Sequence, residues 1–264
     1  MEKLQKSLGK LDVKIDNNDL RCLYQEGCYK TIIPKTYNNY KELVLVNTSG
    51  GITSGDNLNA KFEFSNSKIC ISTQAAEKIY SGFGEPAKII MEISLKNKSD
   101  LLWLPKELIL FNNSNLKRNF NINLFDNSNL IMCETIVLGR KSMKEKLING
   151  YFSDFWNIFE NGKLVHAEAI SFSKGIDEFI SNKISLNNNY VVNTIIIMGE
   201  KFLLNGEKIK KSNLKKNGVV SEISQWDKKM IIRTLALDNY YLKNALDDIL
   251  SNFLQSKLPE VWEI

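Results

Sequence analysis

Two acidic side chains, Asp56 and Glu134, stand where a carboxylate could do chemistry. Asp56 ends the glycine-rich segment 47–56, and Glu134 interrupts an otherwise apolar run. A charge in such a run either faces water or lies inside the protein with partners. Because strand alternation places Met132, Glu134 and Ile136 on one face, the apolar neighbours indicate a partly buried acid. One hypothesis is therefore a β-rich hydrolase that uses Asp56 and Glu134 as paired carboxylates in a cleft, as in glycoside hydrolysis.

The glycines of segment 47–56 do not form a nucleotide-binding motif. Their spacing differs from the G-x-G-x-x-G dinucleotide fingerprint, and the segment lacks the terminal Gly-Lys-Ser/Thr of a P-loop. Alternating apolar residues follow in 58–64, which predicts a strand rather than the helix that both motifs need. We interpret the segment as a connection between strands. Asp56 is then either a functional acid or a turn aspartate hydrogen-bonded to its own backbone.

The single histidine and the scattered cysteines exclude several classes of catalytic site. His166 alone cannot build a two-histidine or three-histidine metal centre, and no Gly-x-Ser-x-Gly elbow exists to partner it in a triad. None of the four cysteines forms a Cys-x-x-Cys pair, so a structural zinc site is not expected. Cys70 and Cys133 lie in apolar runs and are predicted to be buried, whereas Cys28 lies in a predicted turn.

The charge distribution argues against nucleic acid and membrane partners. The net charge is +5, and lysines concentrate in 141–146 and 208–216. These runs lack the interleaved aromatic residues that stack on bases, so an acidic protein partner suits them better than nucleic acid. No apolar run reaches about 18 residues. The first residues contain no apolar signal segment, so we expect a cytoplasmic location.

The pattern of apolar residues predicts a mainly β fold with an amphipathic C-terminal helix. Short apolar runs are separated by Asn, Ser, Gly and Asp clusters at intervals typical of β proteins. Residues 73–80 are interpreted as either a second helix or a strand and turn. No repeat and no domain boundary is recognised, so residues 1–264 are treated as one domain. The helix is predicted from a core-facing stripe at helical spacing: Leu242, Ala245, Leu246, Ile249, Leu250, Phe253 and Leu254.

Six short motifs occur in order along the chain. They are Glu26-Gly27-Cys28, Gly50-Gly51-x-x-x-Gly55-Asp56, the segment 73–80 (TQAAEKIY), the segment 103–107 (WLPKE), Glu134 followed by Gly139-Arg140, and the segment 258–262 (LPEVW). Their order and spacing from about Leu20 to Trp262 resemble the UreD (UreH) family of urease accessory proteins. The chain departs from the family pattern at Lys106 and Glu260, where Gln and Arg are usual, and the lysine-rich segment 207–218 matches no family motif.

The resemblance implies a mainly β protein with stacked sheets in a helicoid arrangement and a few helices. It also implies a protein that is not an enzyme and holds no tightly bound cofactor. Such proteins bind apo-urease and the accessory protein UreF, which in turn holds the GTPase UreG, and the accessory complex could be dimeric. A plain β-rich adaptor with no metal role is a further hypothesis.

The resemblance also implies that Ni²⁺ passes through the protein in transit to urease. Family members have an internal tunnel with acidic walls, and Glu26, Asp56, Glu134 and Glu168 match wall positions by motif. Oxygen ligands hold Ni²⁺ loosely compared with imidazole and thiolate, which suits passage better than storage. From the residues alone, Glu26 and Glu168 would instead be surface side chains. Arg140 is expected to pair with Glu134 or with another wall acid.

Overall fold

The computed structural model describes residues 6–35, 39–139, 147–173, 175–206, 217–254 and 258–263. Both lysine-rich runs lie outside the described residues, as does Arg140 with its expected ion pair. None of the described helices combines the length and the apolar character that crossing a membrane would require.

The described residues are mainly β, as predicted, with 17 strands and four helices. The strands are β1 (Leu8–Asp16), β2 (Asp19–Gly27), β3 (Tyr29–Ile32), β4 (Lys41–Asn47), β5 (Asn57–Ser65), β6 (Lys68–Thr73), β7 (Glu77–Ile79), β8 (Ala87–Lys96), β9 (Asp100–Trp103), β10 (Leu108–Leu110), β11 (Ser114–Leu124), β12 (Asn129–Leu138), β13 (Gly150–Glu160), β14 (Lys163–Phe172), β15 (Val191–Met198), β16 (Val219–Trp226) and β17 (Lys229–Ala236). The helices are α1 (Ile176–Ser181), α2 (Glu200–Gly206), α3 (Asn239–Leu254) and α4 (Glu260–Glu263). Segment 73–80 is therefore a strand and turn, not a helix.

Two sheets stack face to face in the expected helicoid arrangement. The first sheet has the order β14-β13-β11-β8-β5-β1-β2, and the second has the order β16-β17-β15-β12-β9-β6-β4-β3, with β7 and β10 attached beside β12. From β4 to β13 the chain passes back and forth between the sheets. Successive strands within each sheet pair in parallel over this region. Each round trip between the sheets therefore adds one strand to each sheet.

Stacked turns at one end of the sheets hold these layers in register. Asn66 and Asn97 have left-handed backbone (φ 46° and 52°), a conformation that Asn tolerates better than most residues. The Ser67 N–H donates to Ser99 Oγ, 32 residues away, over 3.2 Å. The Ser99 N–H in turn donates to Ser128 Oγ, 29 residues away, over 3.2 Å. The chain thus contains a structural repeat of about 30 residues that the sequence analysis did not recognise.

Two hydrophobic cores stabilise this architecture. The larger core fills the space between the sheets, where the Trp103 and Phe120 rings meet edge to face with centroids 5.4 Å apart. The smaller core lies between the outer face of the second sheet and helices α2, α3 and α4, and it contains Cys70 and Cys133, as predicted. The stripe of α3 from Leu242 to Leu250 is buried in this core, which confirms its assignment. The side chains of residues 253 and 254 lie outside the described part.

Replacing Ser99 by Ala tests the stacked turns. The substitution removes the Oγ that accepts from the Ser67 N–H and donates to the Lys96 carbonyl over 2.6 Å. Because these groups are buried, we expect the free energy of unfolding to fall by about 1–3 kcal/mol. Urea denaturation measures the change, and Ser224→Ala on the exposed strand β16 is the matched control. Equal stability of the two variants would contradict a structural role for the serine ladder.

Candidate functional site

Three charged side chains meet in the middle of the larger core. Glu134 of β12 points between the sheets, on the same face as Met132 and Ile136, as predicted. Arg118 of β11 lies 2.7 Å from it, measured from Nη1 to Glu134 Oε2. The same guanidinium donates from Nε and Nη2 to the two oxygens of Asp154, on β13, over 3.0 and 2.6 Å. A bidentate pair and a second ion pair therefore share one arginine.

Burial strengthens the electrostatic interactions among the three side chains of this triad. Arg118, Glu134 and Asp154 are only 6%, 3% and 1% exposed. Burial lowers the pKa of Arg118, but the carboxylates of Asp154 and Glu134 outweigh that effect, so the pKa rises and the guanidinium stays charged. Burial raises the pKa of Glu134, an effect that Arg118 and the 2.6 Å hydrogen bond from Trp103 Nε1 oppose. Burial has the larger effect, so the pKa of Glu134 is raised overall.

A pocket of about 350 Å³ opens near one end of the sheets and is lined by residues from two of the motifs, the glycine-rich motif and segment 73–80. Glu77 of β7 is its acidic residue, and Asn47 Nδ2 donates to Glu77 Oε1 over 3.0 Å. Burial raises the pKa of Glu77 to about 7, against the opposing effects of Asn47 and Arg118. The wall also includes Tyr29 and Gly51. We call this the Glu77 pocket.

The glycine-rich segment packs against β7, and Gly50 and Gly51 line the Glu77 pocket. A Cβ atom on Gly51 would lie 2.3 Å from the Tyr80 ring and 2.9 Å from the Lys78 carbonyl oxygen, so only glycine fits. Asp56 is 3% exposed, and its two oxygens accept the backbone N–H groups of Ser7 and Thr53, each over 2.8 Å. Asp56 therefore has the geometry of a turn aspartate, and its part in nickel passage stays a prediction.

A second pocket, of about 450 Å³, lies between β14 and the β16–β17 hairpin. Glu168 is buried there and accepts from Arg233 Nη2 over 2.5 Å, so the interpretation as a surface side chain is wrong. His166 Nε2 lies 3.6 Å from the same carboxylate. Burial would raise the pKa of Glu168, but His166 and Arg233 outweigh it and lower the pKa. We call this the Glu168 pocket.

Glu26 stands apart from the other predicted acids. It lies on the edge strand β2, is exposed, and accepts the Tyr24 hydroxyl over 2.6 Å. It pairs in register with Lys10, which also faces solvent. Among the four predicted residues, the structure places Glu134 and Glu168 between the sheets, Asp56 in a connecting turn, and Glu26 on the surface.

Polar residues therefore interrupt the apolar core in a series that we call the inter-sheet polar row. Burial raises the pKa of Tyr29. The charges of Glu77 and Glu134 raise this pKa further, and the charge of Arg118 lowers it, so Tyr29 interacts electrostatically with both the Glu77 pocket and the triad. Sequence reasoning missed Glu77, Arg118 and Asp154. The members are Glu77, Tyr29, Arg118, Glu134, Asp154, His166 and Glu168.

A signal for two of these missed residues was present in the alternation of apolar residues. Arg118 lies two positions from the buried residues Leu116 and Phe120, and Asp154 lies midway between Phe152 and Trp156. That is the same pattern that identified Glu134. A charge at an inward position of a strand therefore marks this site.

The arrangement can attract a cation but does not enclose one tightly. Within the described ranges, no group of three or more His, Cys, Asp or Glu side chains is placed to hold a metal ion. The geometry also gives no support to the paired-carboxylate hydrolase. Asp56 and Glu134 are both buried, and their oxygens are occupied by protein donors, so neither is presented to a substrate.

Replacing Arg118 by Met tests the triad. The variant leaves two carboxylates in the core without their cation, so we expect a loss of about 3–5 kcal/mol in the free energy of unfolding. Urea denaturation measures the loss. Arg21→Met, on the exposed face of β2, is the control, because its ion pairs are long and solvated. A loss no greater than that of the control would contradict the triad's role.

Replacing Glu77 by Gln tests the pocket carboxyl through the pH dependence of stability. Its pKa rises from 4.5 to about 7 on folding, so its contribution to stability is largest below pH 4.5 and declines as the pH rises towards 7. Glutamine keeps an acceptor for Asn47 without ionising. We expect the variant to gain about 3 kcal/mol relative to the parent between pH 4.5 and 8, as measured by urea denaturation. Glu92→Gln, exposed on β8, should show no such gain.

Comparison with known proteins gives one consistent result. The model of the family described as "UreD urease accessory protein" matches residues 8–263. The chain is 32% identical over 247 residues to a protein of Rhizobium leguminosarum bv. trifolii named "Urease accessory protein UreD", covering 93% of this chain and 89% of the relative. A protein of Agrobacterium fabrum with the same name is 32% identical over 244 residues, covering 92% and 84%.

A third relative of the same name, from Chelativorans sp., is 36% identical over 197 residues, covering 72% of this chain and 70% of the relative. The family match spans nearly the whole described fold, including both pockets and the triad. With such a match and relatives of this identity and coverage, the chain belongs to the UreD family of urease accessory proteins.

Proposed function

We propose that this chain is a non-catalytic scaffold for urease maturation that binds apo-urease and the UreF–UreG complex and conducts Ni²⁺ between its two sheets. One observation carries the nickel proposal: the inter-sheet polar row interrupts a core that is mainly apolar. Buried charges are costly, and hydrophobic packing does not need these polar residues. Their cost is understandable if they line a path for a cation.

The two pockets give the path an entrance and an exit. The Glu77 pocket and the Glu168 pocket each contain a carboxylate that belongs to the polar row. Between them, the triad supplies two carboxylates for one guanidinium. The oxygens of these two carboxyl groups face the single cation Arg118 in the middle of the core. A transit path would thus meet a carboxylate at each stage.

The ligands of the path suit transfer rather than storage. Ni²⁺ binds carboxylate oxygens more loosely than imidazole or thiolate, and a path must release the ion that it admits. Water would complete the coordination. Trp156 Nε1 and His166 Nε2 are buried polar atoms with no hydrogen-bond partner among the described residues, and such atoms are usually satisfied by internal water.

The nickel path is tested by changing the two pocket carboxylates together. We expect the double variant Glu77→Gln, Glu168→Gln to co-purify with urease but to lower the nickel content of urease severalfold at limiting nickel, because both ends of the path lose their charge. Metal analysis and urease assays on the co-expressed complex measure the effect. Excess nickel should restore most of the activity.

A matched control separates this effect from a general loss of negative charge. The double variant Glu92→Gln, Glu160→Gln removes two negative charges from exposed residues, the same change in net charge. We expect it to support normal maturation of urease. Full nickel loading by the pocket variant at limiting nickel would reject the path and would favour a plain adaptor. Loss of the complex itself would show that these residues serve docking, not conduction.

The scaffold role has its own test. Co-expression of the chain with UreF, UreG and the urease subunits should yield a complex on size exclusion, and omission of this chain should abolish urease activity. Unchanged activity without the chain would reject a role in maturation. The dimeric state of the complex, the cytoplasmic location and the single domain spanning 1–264 stay predictions.

A further inference from the structure

The Glu168 pocket contains a buried cation without a counter-ion among the described residues. Lys229 is 7% exposed, and its Nζ donates to the Val165 carbonyl oxygen over 2.6 Å. The same ammonium lies 4.8 Å from the centroid of the Trp226 ring. No carboxylate of the described part of the chain lies within ion-pair distance of it. The pocket's own acid, Glu168, is already engaged by Arg233.

The charge balance of the pocket therefore favours an anion from outside. Lys229 and Arg233 are two cations, and Glu168 compensates only one of them. A carbonyl and an indole face stabilise an ammonium less than a carboxylate does, so an added carboxylate would stabilise Lys229 further. His166 Nε2 is also without a hydrogen-bond partner, and His166 is 8% exposed. Both groups line the same pocket.

The shape of the pocket suits an extended chain. The first sheet ends at β14, whereas the second sheet continues with β17 and β16, so the pocket runs beside a terminal strand. The β16–β17 hairpin turns through Asp227 and Lys228, both with left-handed backbone (φ 45° and 60°), and this tight turn holds Trp226 opposite Lys229. Leu164 and Trp226 expose apolar surface at the rim. Strand edges of this kind accept extended peptides.

We propose that the Glu168 pocket docks an extended acidic segment of a protein partner, with one of its carboxylates paired to Lys229. The apolar rim would cover the peptide backbone, and the carboxylate would supply the counter-ion that the described fold lacks. A nucleic acid fits less well, because affinity for a phosphate backbone comes from many cations along a surface. Here a single buried cation, Lys229, would pair with a single carboxylate. The charge imbalance exists whether or not nickel passes through the polar row.

The test uses a peptide of defined chemistry and the full chain. An N-acetylated, C-amidated peptide of alternating Thr and Glu is titrated while tryptophan fluorescence reports on the half-exposed Trp226. The matched peptide replaces every Glu by Gln. We expect the acidic peptide to bind the unchanged protein about tenfold or more tightly than the amide peptide, because only a carboxylate can pair with Lys229. Equal affinities would overturn the proposal without any variant.

A pair of variants tests whether Lys229 is the residue that binds the acidic peptide. Lys229→Met should weaken the acidic peptide about tenfold or more, whereas Lys228→Met, an exposed neighbour with the same charge change, should alter its affinity less than about twofold. An equal loss in both variants would indicate general attraction by positive charge and would overturn the proposal. Displacement of the peptide by inorganic phosphate at equal concentration would mean a site for free anions, and would overturn it as well.

Discussion

The structure depends on one buried interaction, the pairing of Arg118 with both Asp154 and Glu134. The three side chains come from β11, β13 and β12, so the interaction joins the two sheets through the middle of their common core. Charges in such surroundings are tolerated only when each has a partner. The triad therefore constrains the spacing and register of both sheets, and it forces polar groups into a layer that hydrophobic packing would otherwise fill.

The helicoid arrangement explains how distant residues reach this layer. Each round trip of the chain adds one strand to each sheet, so positions about 30 residues apart come to lie side by side on neighbouring strands. The serine and asparagine turns keep the passages in register at one end. The glycine-rich segment, which fits closely against Tyr80, fixes the path of the chain beside the Glu77 pocket. Local turn chemistry thus determines which charges meet in the interior.

The two pockets differ in a way that suits different tasks. The Glu77 pocket holds a carboxyl group whose pKa burial raises to about 7, so its charge changes near neutral pH. In the Glu168 pocket, by contrast, His166 and Arg233 lower the pKa of the acid, and Lys229 has no counter-ion among the described residues. The two pockets therefore differ in the charge that they present: one holds a carboxyl group that titrates near neutral pH, and the other holds two cations and one acid.

Local periodicity in the sequence was enough to predict the fold class, the strand pattern, the core-facing stripe of α3 and the inward position of Glu134. Its motifs also identified the family. The partner of Glu134 could not be found this way, since Arg118 lies 16 residues from Glu134 along the chain and meets it only when the sheets stack. Burial likewise distinguished Glu168 from Glu26, two acids that look alike in sequence. Periodicity places a side chain on a face, but only tertiary packing decides what lies opposite that face and whether water reaches it.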